Sequence, residues 1–405
     1  ELAEAGVLFV PPAIDRQALL AWKNSIVAKL TGGLGQLAKQ RKIERIQGSA
    51  SFMDGQTLRV VPESGPEQWI EFEKIILATG SHPVMPADWP VDSPRLMNST
   101  TALDLVEIPQ SLLVVGGGYI GLELGSVYAS LGSAVSVVEM TSGFLPGADP
   151  DLVIPLKKRL DRLLTQTYLK TRVTAITETA SGLKVDFENE TGSLSQTYDR
   201  VLVAMGRKPN STGLGLKEAG ITLDAKGFVV VNEQGVTSNP HVLAIGDVAG
   251  EPMLAHKASH QGLVAAEVCA GHNVAFEPKT IPAVVFTDPE IAWCGLTEVQ
   301  AKAGKKPVKV LKFPWAASGR SLTLGRSEGV TKLIVDENTE QILGVALVGP
   351  GAGELISEGA LAIEMGATAK DMALTIHPHP TLSETYMEAA EAFYGLGIHV
   401  YRPKK

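Results

Sequence analysis

Residues Ser111–Glu139, SLLVVGGGYIGLELGSVYASLGSAVSVVE, decide how this chain folds. The apolar run Ser111–Val115 enters a glycine turn and continues into a helix whose apolar face extends to Leu131; a second apolar run, Ala134–Val138, follows and ends at Glu139. Strand, helix and strand in that order predict a parallel sheet with a right-handed crossover. Gly116, Gly118 and Gly121 stand where a dinucleotide fingerprint needs them. Gly116 permits the tight turn, Gly118 lets backbone N–H groups approach a pyrophosphate at the helix N-terminus, and Gly121 lets helix and strand pack closely. Glu139, closing the next strand, would accept from ribose hydroxyls and repel a 2′-phosphate, and Met140, Thr141, Ser142 and Gly143 offer no arginine to receive one. The expected nucleotide is NAD.

Outward from this unit, residues from Asp15 to Lys39 read as a helix, with Leu19, Leu20, Trp22, Ile26, Val27 and Leu30 at helical spacing. A brief strand, Lys74–Leu77, runs into Ala78, Thr79 and Gly80, and the proline-rich connector Pro83–Pro94 marks a domain edge. Downstream, the strands Arg200–Ala204 and Val242–Ile245 each run toward glycine, which places loops at the carboxyl edge of a sheet, where ligands bind. From about Lys279 the pattern changes to alternating strands, among them Lys332–Val335 and Leu343–Val348, with helices between, and predicts a third domain.

Composition excludes several classes. A chain of 405 residues with 44% hydrophobic content is long enough for two or three cores and too apolar for disorder. No apolar run approaches the ~20 residues of a membrane span, and a net charge of −8 lacks the basic footprint of a nucleic-acid binder. Neither membrane nor nucleic acid is expected as a partner. The two cysteines, Cys269 and Cys294, are too few for a secreted disulfide framework, and their settings AEVCAG and IAWCGL suit buried thiols, so a cytoplasmic location is expected.

Further motifs join the first: ATG at Ala78–Gly80, AMGRKPN at Ala204–Asn210, AIGDVAG at Ala244–Gly250, PMLAHKA at Pro252–Ala258 and HPHPTLSE at His377–Glu384. Together they resemble the glutathione-reductase-like FAD/NAD disulfide oxidoreductases, and within them the dihydrolipoamide dehydrogenases, over essentially the whole chain. The resemblance implies an α/β fold: two Rossmann-like dinucleotide-binding domains, the first incomplete, plus a C-terminal α+β dimerisation domain. Residues 1–110 would be a partial FAD-binding domain, 111–240 the NAD-binding domain, 241–278 a return to the FAD and central region, and 279–405 the dimerisation domain.

It also implies roles for residues. NAD would meet Gly116, Gly118, Tyr119, Ile120, Gly121, Glu123, Glu139, Val173, Ala204, Gly206 and Arg207, with Tyr119 as a lid and Glu123 partnering a lysine beside the disulfide. FAD would meet Ala50, Ala78, Thr79, Gly80, Gly246, Asp247, Met253, Leu254, Ala255 and His256, Asp247 taking the ribityl chain. His379 and Glu384 would be the catalytic pair, an imidazole acid/base oriented by a carboxylate, with His377 the competing histidine. The implied activity is oxidation of protein-bound dihydrolipoamide by NAD through a redox disulfide and FAD, by a homodimer serving the lipoyl-bearing acyltransferase core of a 2-oxoacid dehydrogenase complex.

The pattern departs from the family in one respect. A first GxGxxG and a CxxxxC pair are not found in the 405 residues, and Cys269 and Cys294 stand too far apart to replace the pair. The expectation is that Glu1 begins partway through a natural chain and that this segment alone is inactive. Other readings remain open: another FAD disulfide reductase, a soluble pyridine nucleotide transhydrogenase, or an NAD-binding scaffold without redox chemistry.

Overall fold

The computed structural model describes residues 6–10 and 12–400, so the outermost ends of the first and last expected segments lie outside the described residues. Two compact units emerge. One combines Met85–Met205 with the chain from Pro278 onward and the described residues up to Ile14; the other combines Asp15–Val84 with Gly206–Glu277.

In the first unit a five-stranded parallel sheet has the order Leu96–Asn98, Arg200–Val203, Ser111–Val115, Ala134–Val138 and Gln166–Tyr168. Its central strands are near-continuous Val and Leu because both faces are covered: Leu112, Leu113, Val114, Val135, Val137, Val201 and Leu202 are fully buried. An antiparallel meander, Arg172–Thr179, Gly182–Asn189 and Gly192–Tyr198, packs Leu183, Val185 and Phe187 against Leu113, Val115, Val201 and Val203. The expected strand–helix–strand is present as Ser111–Val115, Tyr119–Ser130 and Ala134–Val138.

The C-terminal part of this unit is an antiparallel sheet, ordered Ala283–Val285, Glu290–Gly295, Ile342–Gly349, Val330–Asp336 and Val308–Pro314, with helices Ala352–Met365, Ala369–Leu374 and Glu384–Glu391. Trp315, Leu333, Val345, Leu347 and Tyr386 fill its core. Cys294 lies in that core, and burial pushes its thiol up to about 12, while Cys269 is half-buried. Lys332, fully buried on the strand Val330–Asp336, donates to Asp149 Oδ2 at 3.0 Å, to Glu298 Oε2 at 3.0 Å and to Asp151. The Asp149 carboxylate also accepts from the N–H groups of Glu298 and Val299, at 2.9 and 3.0 Å, at the start of the helix Glu298–Ala303. Three carboxylates thus converge on one ammonium and join the helix Pro150–Leu163 of the parallel-sheet part to the C-terminal sheet.

In the second unit the strands Ile75–Leu77 and Val242–Ala244 pair in parallel, beside a meander of Gly48–Phe52, Thr57–Pro62 and Gln68–Glu71. Phe52, Leu77, Leu216, Ile221, Val229, Val242 and Val248 form its core. Asp15 caps the helix Arg16–Gln40 by accepting from Ala18 N at 3.0 Å, and none of that helix's side chains is buried, Trp22 being 64% exposed.

The chain passes between the two compact units at Met85 and after Met205, while the expected domains divide at 111 and 240. Leu96–Asn98 is an edge strand of the parallel sheet, too short to show in the sequence, and Leu214, Leu216, Ile221 and Val229 belong to the core of the other unit. Among the described residues no helix is long and apolar enough to cross a membrane.

Candidate active site

Three strand ends meet at the glycine turn: Gly116 N donates to Val138 O at 2.9 Å and Ala204 N to Val115 O at 2.8 Å. The turn needs its glycines. Gly116 has φ +113°, and a Cβ there would lie 2.3 Å from Ala204 O; a Cβ on Gly121 would lie 2.1 Å from Gly116 O. At Gly118, which precedes the helix Tyr119–Ser130, a Cβ would meet nothing within 4 Å, and no side chain caps the helix. An open, uncapped helix start is what a pyrophosphate requires. Glu139 accepts from Gly117 N through Oε2 and from Thr141 N through Oε1, both at 2.7 Å, which fixes its carboxylate beside the turn with lone pairs to spare. These residues fit NAD.

Tyr119 and half-buried Ile120 open that helix, and Ala204 follows the strand Arg200–Val203. Glu123 accepts from Phe286 N at 2.8 Å; burial raises its pKa, the Phe286 N–H opposing. Val173 lies in the meander and packs against the core.

The residues expected to meet FAD lie in the second unit. Thr79 Oγ1 donates to Asn210 O, and Asn210 Nδ2 to Thr79 O, each at 2.8 Å, so ATG and RKPN are tied together. Asp247 lies in the short turn Gly246–Ala249, and its Oδ2 accepts from the Ser81 hydroxyl at 2.5 Å. Ser81 in turn accepts from Arg207 Nε at 2.7 Å, and Arg207 Nη2 donates to Ser81 O at 2.7 Å. Arg207, expected with Ala204 among the NAD contacts, therefore lies in the other unit, on a strand, Arg207–Pro209, that pairs with Ser81–Pro83; Gly206 goes with it. Met253 and Leu254 lead into the helix Ala255–Cys269, whose first residues, Ala255 and His256, are exposed. Ala50 is exposed, opposite Val60 in the meander. Asp247 has one carboxylate oxygen engaged by Ser81, and beside it stands an uncapped helix start, a donor set that suits the hydroxyls and phosphates of a flavin nucleotide. Sequence reasoning passed over Ser81 and Lys257, each adjoining or within a quoted motif. The Lys257 ammonium is buried and donates to Gly246 O and Gly250 O; burial lowers its pKa, with the charges of Asp247 and Glu251 opposing.

The two histidines of HPHPTLSE differ sharply. His379 Nδ1 lies 2.8 Å from Glu384 Oε1, and Glu384 Oε2 accepts from Thr381 N at 2.6 Å. The His379 side chain is 74% exposed, and among the described residues its Nε2 has no hydrogen-bond partner. A carboxylate on Nδ1 sets the tautomer with Nε2 as the open base. Burial acts to raise the pKa of Glu384, but Thr381 N–H and His379 outweigh it and hold the carboxyl below its usual range. The His377 side chain is only 4% exposed and has both nitrogens engaged, Nδ1 at 2.8 Å from Thr375 O and Nε2 at 2.7 Å from Glu358 Oε1.

Comparison with known proteins agrees with this architecture. Residues 5–262 match the family model "Pyridine nucleotide-disulphide oxidoreductase" and residues 281–390 its dimerisation domain. A dihydrolipoyl dehydrogenase of Haemophilus influenzae is 46% identical over 96% of this chain and 81% of its own length, and one of Thermus scotoductus is 45% identical over 98% and 86%. Among solved structures, LpdA of Mycobacterium tuberculosis superposes with TM-score 0.87 at 26% identity, covering 94% of this chain and 84% of its own. The HOCl-induced flavoprotein disulfide reductase RclA of Escherichia coli superposes at 0.82 with 29% identity, over 92% and 85%. With a glycine turn of dinucleotide-binding form, a family dimerisation domain that supports a homodimer, and this kinship along nearly its whole length, the chain belongs to the pyridine nucleotide-disulphide oxidoreductases, enzymes that use FAD and NAD.

Proposed function

We propose that this protein is a dihydrolipoyl dehydrogenase, oxidising protein-bound dihydrolipoamide to lipoamide while NAD becomes NADH and a proton is released. The observation that carries the reading is the His379–Glu384 pair, with one imidazole nitrogen held and the other open. Nε2 of His379 takes a proton from the incoming dithiol, so that a thiolate attacks a redox disulfide. Glu384, anchored by Thr381 N–H, keeps the imidazole in the required tautomer and stabilises the imidazolium. When bound, FAD would supply the two-electron relay between the dithiol–disulfide couple and NAD. Glu139 would hold the adenosine ribose, Tyr119 would cover the nicotinamide, and Asp247 would order the flavin's hydroxylated chain. The natural substrate would be the lipoyl arm of a 2-oxoacid dehydrogenase core, and the location cytoplasmic.

The test is steady-state lipoamide-dependent NADH formation by the protein expressed from its entire gene, with flavin absorbance recorded. A yellow protein that prefers NAD over NADP is expected. Glu139→Gln should shrink the NAD over NADP ratio in kcat/KM. An unchanged ratio would remove Glu139 from the nucleotide site, and a colourless protein would sink the whole reading.

A further inference from the structure

Asp247 is the one carboxylate among the expected flavin residues, and of the groups around it Ser81 and Lys257 were not expected and Arg207 was expected at NAD. Its Oδ2 receives the Ser81 hydroxyl at 2.5 Å, a length typical of an O–H donor on an ionised acceptor. Because the hydroxyl proton is directed to Asp247, the Ser81 oxygen must accept elsewhere, and it does so from Arg207 Nε at 2.7 Å. Arg207 adds a second bond, Nη2 to Ser81 O at 2.7 Å, so the guanidinium fork grips hydroxyl and carbonyl of the same residue. Planarity makes that grip specific to arginine, since an ammonium is a point donor without the fork. On the other side, Lys257 reaches from the first turn of the helix Ala255–Cys269 to the carbonyls of Gly246 and Gly250, the ends of the segment that carries Asp247. The loop is thus closed by a buried cation, and the carboxylate is aimed by a relayed one.

We infer that Arg207, Ser81 and Lys257 are positioning residues for flavin, holding Asp247 toward the cofactor's hydroxylated chain, and that Arg207 serves FAD and not the nicotinamide nucleotide. The inference rests on the flavoprotein reading above. It assigns the RKPN segment to the second unit, where its backbone already pairs with Ser81–Pro83. Arg207 acts on the flavin through Ser81 and Asp247, so its loss weakens binding without removing a contact to the cofactor.

The experiment uses the protein expressed from its entire gene and compares Arg207→Met, Arg207→Lys, Ser81→Ala, Lys257→Met and Asp247→Asn with wild type. The readouts are the rate of FAD release after dilution, the visible flavin spectrum and the KM for NAD. Arg207→Met should release FAD about tenfold faster, the scale of one charge-assisted hydrogen bond, and shift the flavin bands, with the KM for NAD unchanged. Arg207→Lys should recover part of the loss but not all. In a double-mutant cycle Arg207→Met and Asp247→Asn should be non-additive, because both cut one chain of hydrogen bonds; a loss of general stability would add instead. A raised KM for NAD with flavin retention intact in Arg207→Met would overturn the inference, as would additivity in the cycle. If Lys257→Met fails to fold, the Arg207 and Ser81 variants still decide. A wild-type protein without flavin would defeat the underlying reading, an outcome distinct from a yellow wild type whose Arg207→Met variant keeps its flavin.

Discussion

His379 and Lys332 both belong to the C-terminal part of the first unit, and both sit against carboxylates, yet their settings are opposite. Lys332 is fully buried, and all three of its ammonium donors are taken by Asp149, Asp151 and Glu298. His379 is 74% exposed, with Nδ1 committed to Glu384 and Nε2 left open. A polar group whose every valence is satisfied inside the protein can only hold structure; one that keeps a valence facing outward can do chemistry. His377, buried and doubly bonded, repeats the Lys332 condition two residues from His379.

The contrast breaks most visibly at His379. His379→Gln should lower lipoamide turnover by about 10² to 10⁴, the usual worth of general acid/base help, with flavin content and unfolding midpoint unchanged. A variant that kept full turnover would remove the base from this site. Lys332→Met should do the reverse, leaving the reaction intact at low temperature while lowering unfolding free energy by about 3–5 kcal/mol, because it strands the buried Asp149 carboxylate. Denaturant titration measures this, and a change under about 1 kcal/mol would mean the carboxylates find other partners.

Acidity sharpens the same comparison. Burial alone would raise the pKa of Glu298, but Lys302 and Lys332 outweigh it and depress the carboxyl from its ordinary 4.5 to about 2; Asp151 is likewise lowered, with burial opposed by Lys312 and Lys332. A depressed carboxyl stabilises the fold above its ordinary pKa and loses that contribution as pH falls through the folded value. The stability gap between wild type and Lys332→Met should therefore narrow as pH drops from 4.5 toward 2, and a gap constant across that window would contradict the ion network. The smallest effect is expected at His377. His377→Gln should change turnover by only a few-fold and cost about 1–3 kcal/mol of stability through the Glu358 bond. A turnover defect exceeding that of His379→Gln would exchange their roles.

Much of the nucleotide site was legible in the sequence because it is local: strand, glycine turn, helix and acid follow one another from Ser111 to Glu139, and every element is in place. The helix read over Asp15–Lys39 is found at Arg16–Gln40, since its cap and spacing are likewise local. The changeover between the units at Met85 and Met205 was not legible. A three-residue edge strand such as Leu96–Asn98 has no periodicity to read, and Leu214–Val231 joins its core through irregular backbone. Arg207 was grouped with Ala204 because they stand three apart in one motif, although the chain passes from one unit to the other between Met205 and Gly206. The difference between His377 and His379 was legible only through resemblance, because what separates them is Glu358, nineteen residues upstream and brought near by folding.

The bond from Gly117 N to Glu139 bears on how such a protein can change over evolutionary time. The carboxylate proposed to read the ribose also buttons the loop proposed to hold the pyrophosphate, so one side chain would serve two purposes. On that reading, a lineage drifting toward the phosphorylated nucleotide would have to replace the loop anchor as well as acquire a cation, and a single step would supply only one of the two. Such a coupling would make nucleotide preference a conservative trait, inherited along with the loop.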